Sequence, residues 1–332
     1  MDLSAITRPV NDLLDGAMDR SVVLGYTKIG SGLRRHWWPA DAEPGSLRDK
    51  RILVTGATAG IGLAMAHSFA QLGATVHLLG RNPDKVRTCA AEIRAAVPGA
   101  EVVEEVCDVS DLDAVREWTA DLANRIPALS GLVHNAVVMP KERLLTPQGH
   151  EVQLATSVLG PHLITERLLP LLRAAGGASV VFMSSGGMYS SPLVVDDIEY
   201  RHGYNGVRAY ARTKKMQVVL ADSWARRLAG TDIRVESMHP GWVETPGVAE
   251  YLPRFRMITK PLLRNVVDGA DTAVWLVATR PPSKPGHFWH DRSQRPTTFG
   301  WQRHEDPAKV RRFLAQVSRL TGTAEGWTGL RA

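Results

Sequence analysis

The stretch that most restricts this chain is Arg51-Ile52-Leu53-Val54-Thr55-Gly56-Ala57-Thr58-Ala59-Gly60-Ile61-Gly62. A short aliphatic run ends in a glycine turn. Beyond it the apolar period lengthens from about 2 to about 3.6, with Ile61, Met65, Phe69 and Leu72 on one helical face. Gly56 permits a tight turn, Gly60 lets the backbone approach a pyrophosphate, and Gly62 lets the helix pack close to the strand. The unpaired N–H groups at the helix start then face an anion. The spacing is G-x-x-x-G-x-G rather than G-x-G-x-x-G, and taken alone it reads as turn and packing glycines.

From Lys50 onward, strand and helix patterns alternate. Strands are expected at 51–55, 75–79, 101–106, 130–134, 178–183, 232–238 and 286–290, with helices at 60–72, 84–96, 111–125, 147–173, 206–229 and 268–279. Asn82-Pro83, Asp111 and Thr146-Pro147 read as helix starts. Short, nearly continuous apolar strands between helices imply an α/β fold, a doubly wound parallel sheet of about seven strands covered on both faces. Such a sheet binds ligands outside the carboxyl ends of its strands. The 332 residues divide into an N-terminal helical extension (1–48), the α/β domain (49–292) and a C-terminal helical tail (293–332). In the tail, Asp306-Pro307 opens a helix with Val310, Phe313, Leu314, Val317 and Leu320 on one face, and Gly322 stops it. It is expected to pack on the body or on a second subunit.

In the extension, Val10, Leu13, Leu14, Ala17 and Met18 recur at helical spacing. Lys28, Arg34, Arg35 and His36 then lead to Trp37-Trp38, with no acid between Thr27 and Trp38. Two readings stand: a basic segment on an anionic membrane surface, or a helix packed on the main domain or a partner. The net charge of +6, from 40 basic and 34 acidic residues, is too small and too interspersed to indicate nucleic acid. No apolar run reaches the roughly 18 residues of a membrane span, and no secretory segment opens the chain. Cys89 and Cys107 form no C-x-x-C pair. A reduced, cytoplasmic setting is expected, with peripheral membrane contact through the N-terminal segment as the variant of that reading.

The chemistry-bearing residues fall at the carboxyl ends of the expected strands. The second strand ends Leu78-Leu79-Gly80-Arg81-Asn82, with no acid for a ribose 2′-hydroxyl. Arg81 instead offers a planar, permanently charged donor to a 2′-phosphate, which favours NADP over NAD; a solvated arginine opening a turn would look the same. Asp108, after the third strand, can accept from an adenine amino group or cap the helix near Asp111, and the two roles are compatible. Tyr210 and Lys214 stand four apart on one helix face. A tyrosine of pKa near 10 is a poor base at neutral pH; a nearby ammonium lowers that value and makes it a usable acid–base group. Ser184-Ser185 closes the fifth strand, where a hydroxyl can hold a carbonyl oxygen while tyrosine donates its proton. His239-Pro240-Gly241-Trp242-Val243-Glu244-Thr245 follows the sixth strand. Its exposed backbone and the Thr245 hydroxyl suit a carboxamide, although a plain strand-to-loop turn reads the same way. Ser185 is not in a G-x-S-x-G elbow, which argues against a hydrolase. His287 and His290 lack a carboxylate or cysteine at ligand spacing, so no metal is assigned to them.

TGATAGIG, the His134-Asn135-Ala136 segment, Ser185, Tyr210-Ala211-Arg212-Thr213-Lys214 and His239 to Thr245, in that order, resemble the short-chain dehydrogenase/reductase superfamily over residues 50–290 or so. The 25 positions from Ser185 to Tyr210 are similar to the retinol-dehydrogenase branch. The resemblance implies a Rossmann fold, often dimeric or tetrameric, with nucleotide held by Gly56, Thr58, Ala59, Gly60, Ile61, Gly62, Arg81, Asp108, Val109, Asn135, Ala136, Pro240, Gly241, Val243 and Thr245. It also implies hydride transfer from NADPH to a carbonyl carbon. Tyr210 would protonate the oxygen, Ser185 would polarise the carbonyl, and Lys214 would tune Tyr210 and hold the nicotinamide ribose.

Three positions depart from the family pattern. Ser157 stands where the family's fourth catalytic residue is an asparagine, and Val137 stands where a glycine lies against the cofactor; His134 replaces an asparagine that braces the sheet. A protein that binds NADP(H) with weak or no turnover is therefore the alternative function. Residues 246–268 carry Tyr251, Leu252, Phe255, Met257, Ile258, Leu262 and Leu263 among Arg254, Arg256, Lys260 and Arg264. Such a stretch reads either as an apolar lid over a lipophilic carbonyl or alcohol, or as a surface helix with a solvated basic face.

Overall fold

Eight strands form one sheet in the order β3-β2-β1-β4-β5-β6-β7-β8. They are β1 (Arg51–Thr55), β2 (Thr75–Gly80), β3 (Val102–Val106), β4 (Gly131–His134), β5 (Ala178–Met183), β6 (Ile233–Met238), β7 (His287–His290) and β8 (Ser293–Pro296). The computed structural model describes residue 15 and residues 25–324, apart from 252, 285, 286, 300, 301 and 303. The expected helix through Val10 to Met18 lies outside the described residues. The first seven strands are parallel, and β8 runs antiparallel to β7. The eighth strand follows a two-residue turn at Asp291 and Arg292, whose φ values of 51° and 53° are those of a type I′ hairpin. It adds to the seven strands expected and lies in the stretch read as tail.

Around the sheet lie α1 (Lys28–Arg34), α2 (Gly60–Gln71), α3 (Pro83–Ala96), α4 (Leu112–Arg125), α5 (Val152–Leu154), α6 (Gly160–Ala174), α7 (Gly206–Arg227), α8 (Pro246–Tyr251), α9 (Pro253–Thr259), α10 (Val266–Thr279) and α11 (Pro307–Thr321). α5 runs through a π-turn, Ala155–Leu159, straight into α6. Local capping accounts for several starts: the Asn82, Asp111 and Asp306 side chains accept from main-chain N–H groups of the first turns. Thr146-Pro147 starts no helix. Thr146 closes a turn with His150 and Gly149, and the Glu151 carboxylate caps α5 instead.

One core face carries α4, α6 and α7 against the sheet, and α11 adds Phe313, Leu314 and Val317 to it. The tail helix thus packs on the body. The other face carries α2, α3 and α10. In the extension, α1 and Arg35–Trp37 pack on the body too. Arg34 is fully buried and pairs with Asp15 at 2.6 Å and with Asp291 at 2.8 Å. Trp38 lies under the guanidinium groups of Arg292 and Arg35.

Candidate active site

The sheet order reverses between β1 and β4, the crevice where such folds bind ligands. The glycine turn opens there. Gly56 and Gly60 have φ of +63° and +55°, a conformation that favours glycine. A Cβ on Gly62 would stand 2.2 Å from the Gly56 carbonyl oxygen, so only glycine lets α2 start this close to β1. α2 has no side-chain cap at Ala59 and no acid in its first turn, leaving the backbone N–H groups of its start for an external acceptor. Ile61 is half-buried beside the same turn.

Thr58 packs on the glycine that precedes Arg81: a Cβ on Gly80 would meet the Thr58 methyl at 2.6 Å. Arg81 is exposed at this edge, near enough to Tyr251 for its charge to act on the phenol. Asp108 accepts from the Ser110 amide and hydroxyl at 2.9 and 2.7 Å, while Asp111 caps α4, which settles the capping alternative against Asp108. Val109 is buried, its carbonyl against Gly160.

Asn135 and Ala136 join β4 to β1. Both main-chain N–H groups donate to the Thr55 hydroxyl at 3.0 Å, and the Asn135 amide donates to the carbonyls of Thr55 and Gly56 at 3.0 and 3.1 Å. Bracing of the sheet therefore falls to Asn135. His134 instead bonds Thr165 at 2.8 Å and is held neutral by burial, its pKa brought down to about 3. Val137 stands 47% exposed beyond them.

Ser185, Tyr210 and Lys214 converge at the carboxyl ends of β5 and α7's first turns. Ser184 fixes the junction, its amide donating to the Met238 carbonyl at 2.7 Å and its hydroxyl to the Lys214 carbonyl at 2.8 Å. The next residue, Ser185, accepts from the Gly187 amide at 3.2 Å, and its hydroxyl lies close enough to Tyr210 to favour the phenolate. A Cβ on Gly187 would be 3.6 Å from the Ser185 hydroxyl and 3.7 Å from the Tyr210 ring, so the three residues meet. Lys214 lies under the ring, Nζ 5.4 Å from its centroid, donating to the Met183 carbonyl and Gln217 Oε1, each at 2.8 Å.

The electrostatics differ from the expectation that lysine would lower the tyrosine. Burial pushes the Tyr210 phenol above 10, with the Ser185 hydrogen bond acting the other way. Burial also brings the Lys214 ammonium down to about 7. An ammonium that is itself disfavoured stabilises a phenolate weakly. Ser157 lies in the π-turn packed on α7, fully buried, its hydroxyl without a partner among the described residues.

The loop after β6 is stitched to the N-terminal segment. Gly241, φ +79°, packs against the Arg264 guanidinium and the Tyr26 carbonyl, where a Cβ would stand 2.5 and 2.8 Å away. The Gly241 amide donates to His239 Nδ1 at 3.1 Å, and the Pro240 carbonyl accepts from Arg264. Pro240 and Gly241 are both half-buried at this junction. Val243 is buried and bridges to Arg264, while Thr245 sits over the turn, its methyl 3.5 Å from a Cβ on Gly60. Arg264, read from sequence as part of a basic lid, is 1% exposed and holds Asp291 at 2.5 Å. Met257 and Ile258 are exposed, and Arg256 ties α9 to Glu244 at 2.5 Å. The side chains of Leu252, Arg254 and Phe255 lie outside the described residues.

Sequence reasoning missed Tyr26, Arg264 and Asp291. The available signal was the pair of glycines in the two cleft loops: Gly186 leaves room for the Tyr26 ring, and Gly241 for the Arg264 guanidinium and the Tyr26 carbonyl.

The short chain dehydrogenase family profile matches residues 50–254. Dehydrogenase/reductase SDR family member 12 of Bos taurus is 36% identical over 302 residues, 89% of this chain and 93% of the bovine protein. Human retinol dehydrogenase 14 is 28% identical over 257 residues, 71% of this chain and 76% of that protein. Among solved structures, a short chain dehydrogenase from Shigella flexneri complexed with NADP is 27% identical with a TM-score of 0.58, covering 71% of this chain and 93% of that one. On sequence, sheet order and cleft geometry together, the chain belongs to the short-chain dehydrogenase/reductase family of oxidoreductases.

Proposed function

We propose that this chain is an NADP-dependent oxidoreductase passing a hydride between nicotinamide and a lipophilic carbonyl or secondary alcohol. The observation that carries the reading is the convergence of Ser185 and Tyr210 beside Gly187, with Lys214 under the ring, at the carboxyl edge of the sheet. The uncapped start of α2 and the turn at Gly56, Thr58, Ala59, Gly60, Ile61 and Gly62 fit the phosphates, with Asp108, Val109, Asn135 and Ala136 walling the same crevice. Arg81 meets the 2′-phosphate, and Val243 and Thr245 lie on the nicotinamide side. The NADP bound by the Shigella relative supports that choice. Bound nicotinamide supplies or accepts the hydride. The Ser185 hydroxyl holds the carbonyl oxygen, and Tyr210 gives that oxygen its proton in reduction and takes one back in oxidation. A phenol held above 10 is protonated at neutral pH, which suits reduction.

The test is NADPH oxidation with a panel of aliphatic and aromatic aldehydes and ketones. Activity abolished by Tyr210→Phe is the expected result. Arg81→Ala is expected to weaken NADPH binding about tenfold or more, with NADH little changed. Equal loss for both nucleotides would overturn the cofactor assignment.

The second reading, an NADP(H)-binding protein with weak or no turnover, is favoured by Ser157, a short side chain whose hydroxyl has no partner among the described residues. NADPH binding with no Tyr210-dependent oxidation across the panel would establish it. Peripheral membrane contact is supported by Ile29 and Leu33, 45% and 46% exposed one helical turn apart on α1, beside Lys28. Equal sedimentation with anionic liposomes of the chain and its Ile29→Ser, Leu33→Ser variant would remove it.

A further inference from the structure

We propose that Tyr26, in the N-terminal segment, is a positioning residue for the active site: it sets the Ser185–Gly187 loop by standing between it and the loop after β6. The inference deepens the oxidoreductase reading and rests on it for its kinetic consequence.

Tyr26 is 2% exposed although it lies outside the family-matched region. Its ring packs against the first loop so closely that a Cβ on Gly186 would be 2.6 Å from Cε2. On the other side the ring meets His239 edge-on at 4.4 Å, with Trp242 at 6.4 Å and His290 at 5.2 Å. Its carbonyl accepts from the Trp242 amide at 2.7 Å and from Arg264 at 3.1 Å. Gly186 adjoins Ser185, the residue that meets Tyr210. A shift of Gly186 into the space of a missing ring would therefore carry the Ser185 hydroxyl with it.

The segment is held from below by buried charge. The Gly25 carbonyl accepts from Arg34 at 3.0 Å and from Arg264 at 2.9 Å, and faces His290 Nε2 at 3.1 Å. Asp291 joins the two arginines. A side chain fixed on three sides and pressed on a cleft loop acts as a fixed wall for that loop.

The experiment uses the full chain with Tyr26→Ala and Tyr26→Phe, NADPH, and nonanal as the carbonyl probe. Hydrogen–deuterium exchange of the loops spanning 184–190 and 239–243 is measured alongside kinetics. Tyr26→Ala is expected to speed exchange in both loops and to lower kcat about tenfold to a hundredfold, with NADPH affinity within about twofold. Tyr26→Phe, which keeps the ring, is expected to restore exchange and kcat to near the parent values. Unchanged exchange in both loops would overturn the positioning claim, as would equal damage by both variants. Parent protein without turnover would count against the oxidoreductase reading alone, because the exchange measurement still decides the placement.

Discussion

The Ser184 hydroxyl donates to the main-chain carbonyl of Lys214 across 2.8 Å, tying the end of β5 to the helix that carries both Lys214 and Tyr210. The bond is buried, and it delivers Ser185 to Tyr210 whatever the length of the loop between them. Ser184→Ala is expected to cost about 1 kcal/mol in urea unfolding and to lower kcat about tenfold. Retained kcat with lost stability would mean the bond holds the fold without aligning the site.

Tyr210 gives a pH signature with a definite sign. Its phenol is pushed above 10 by burial, so reduction, which needs the protonated form, stays level through neutrality. Alcohol oxidation needs the phenolate and should rise with pH to 10 and beyond. The profile of kcat/KM in each direction checks this. An oxidation limb that levels off near neutrality would contradict it.

Lys214 bears a stability cost. Its folded pKa is about 7 against an ordinary 10.5, so the folded state disfavours the charged form. The cost is full below pH 7, shrinks as pH rises toward 10.5, and is gone above it. Lys214→Met should therefore raise the melting temperature most at pH 6, with the gain fading toward pH 10, while abolishing turnover. A gain independent of pH would point to packing alone.

Glu105 works in the opposite direction. Burial raises its pKa, but hydrogen bonds from His77, Arg125 and Trp118 outweigh it and leave the carboxyl at about 2 rather than 4.5. The stability it contributes is present above pH 4.5 and lost as pH falls toward 2. Glu105→Gln should destabilise by about 3 kcal/mol at pH 7 and flatten the acid limb of the urea midpoint. An unchanged acid limb would show that other carboxylates govern it.

What was legible in the chain was what is local. Asn82, Asp111, Asp306 and Gly322 act on their own helix ends, and the structure shows each doing so. Tyr210 and Lys214 share a helix face by spacing alone. Thr146-Pro147 misled because the true cap, Glu151, depends on Glu199, whose carboxylate accepts the Glu151 amide from 48 positions away. β8 was hidden because Ser293-Gln294-Arg295-Pro296 has no apolar alternation and its turn is Asp-Arg rather than Asn-Gly. That turn is held by distant partners, Asp291 by Arg34 and Arg264, Arg292 by Asp271. The raised phenol of Tyr210 was unreadable for the same reason: spacing shows the ammonium, and only the fold shows that Lys214 is buried and the phenol partly desolvated.

The last helix has a consequence for biosynthesis. Phe313, Leu314 and Val317 fill the same apolar layer as Phe182, Leu220 and Trp224, so that layer stays open until residues 313–317 have left the ribosome. A nascent chain stalled before residue 313 would present the uncovered layer to chaperones, and release from them should follow the emergence of α11.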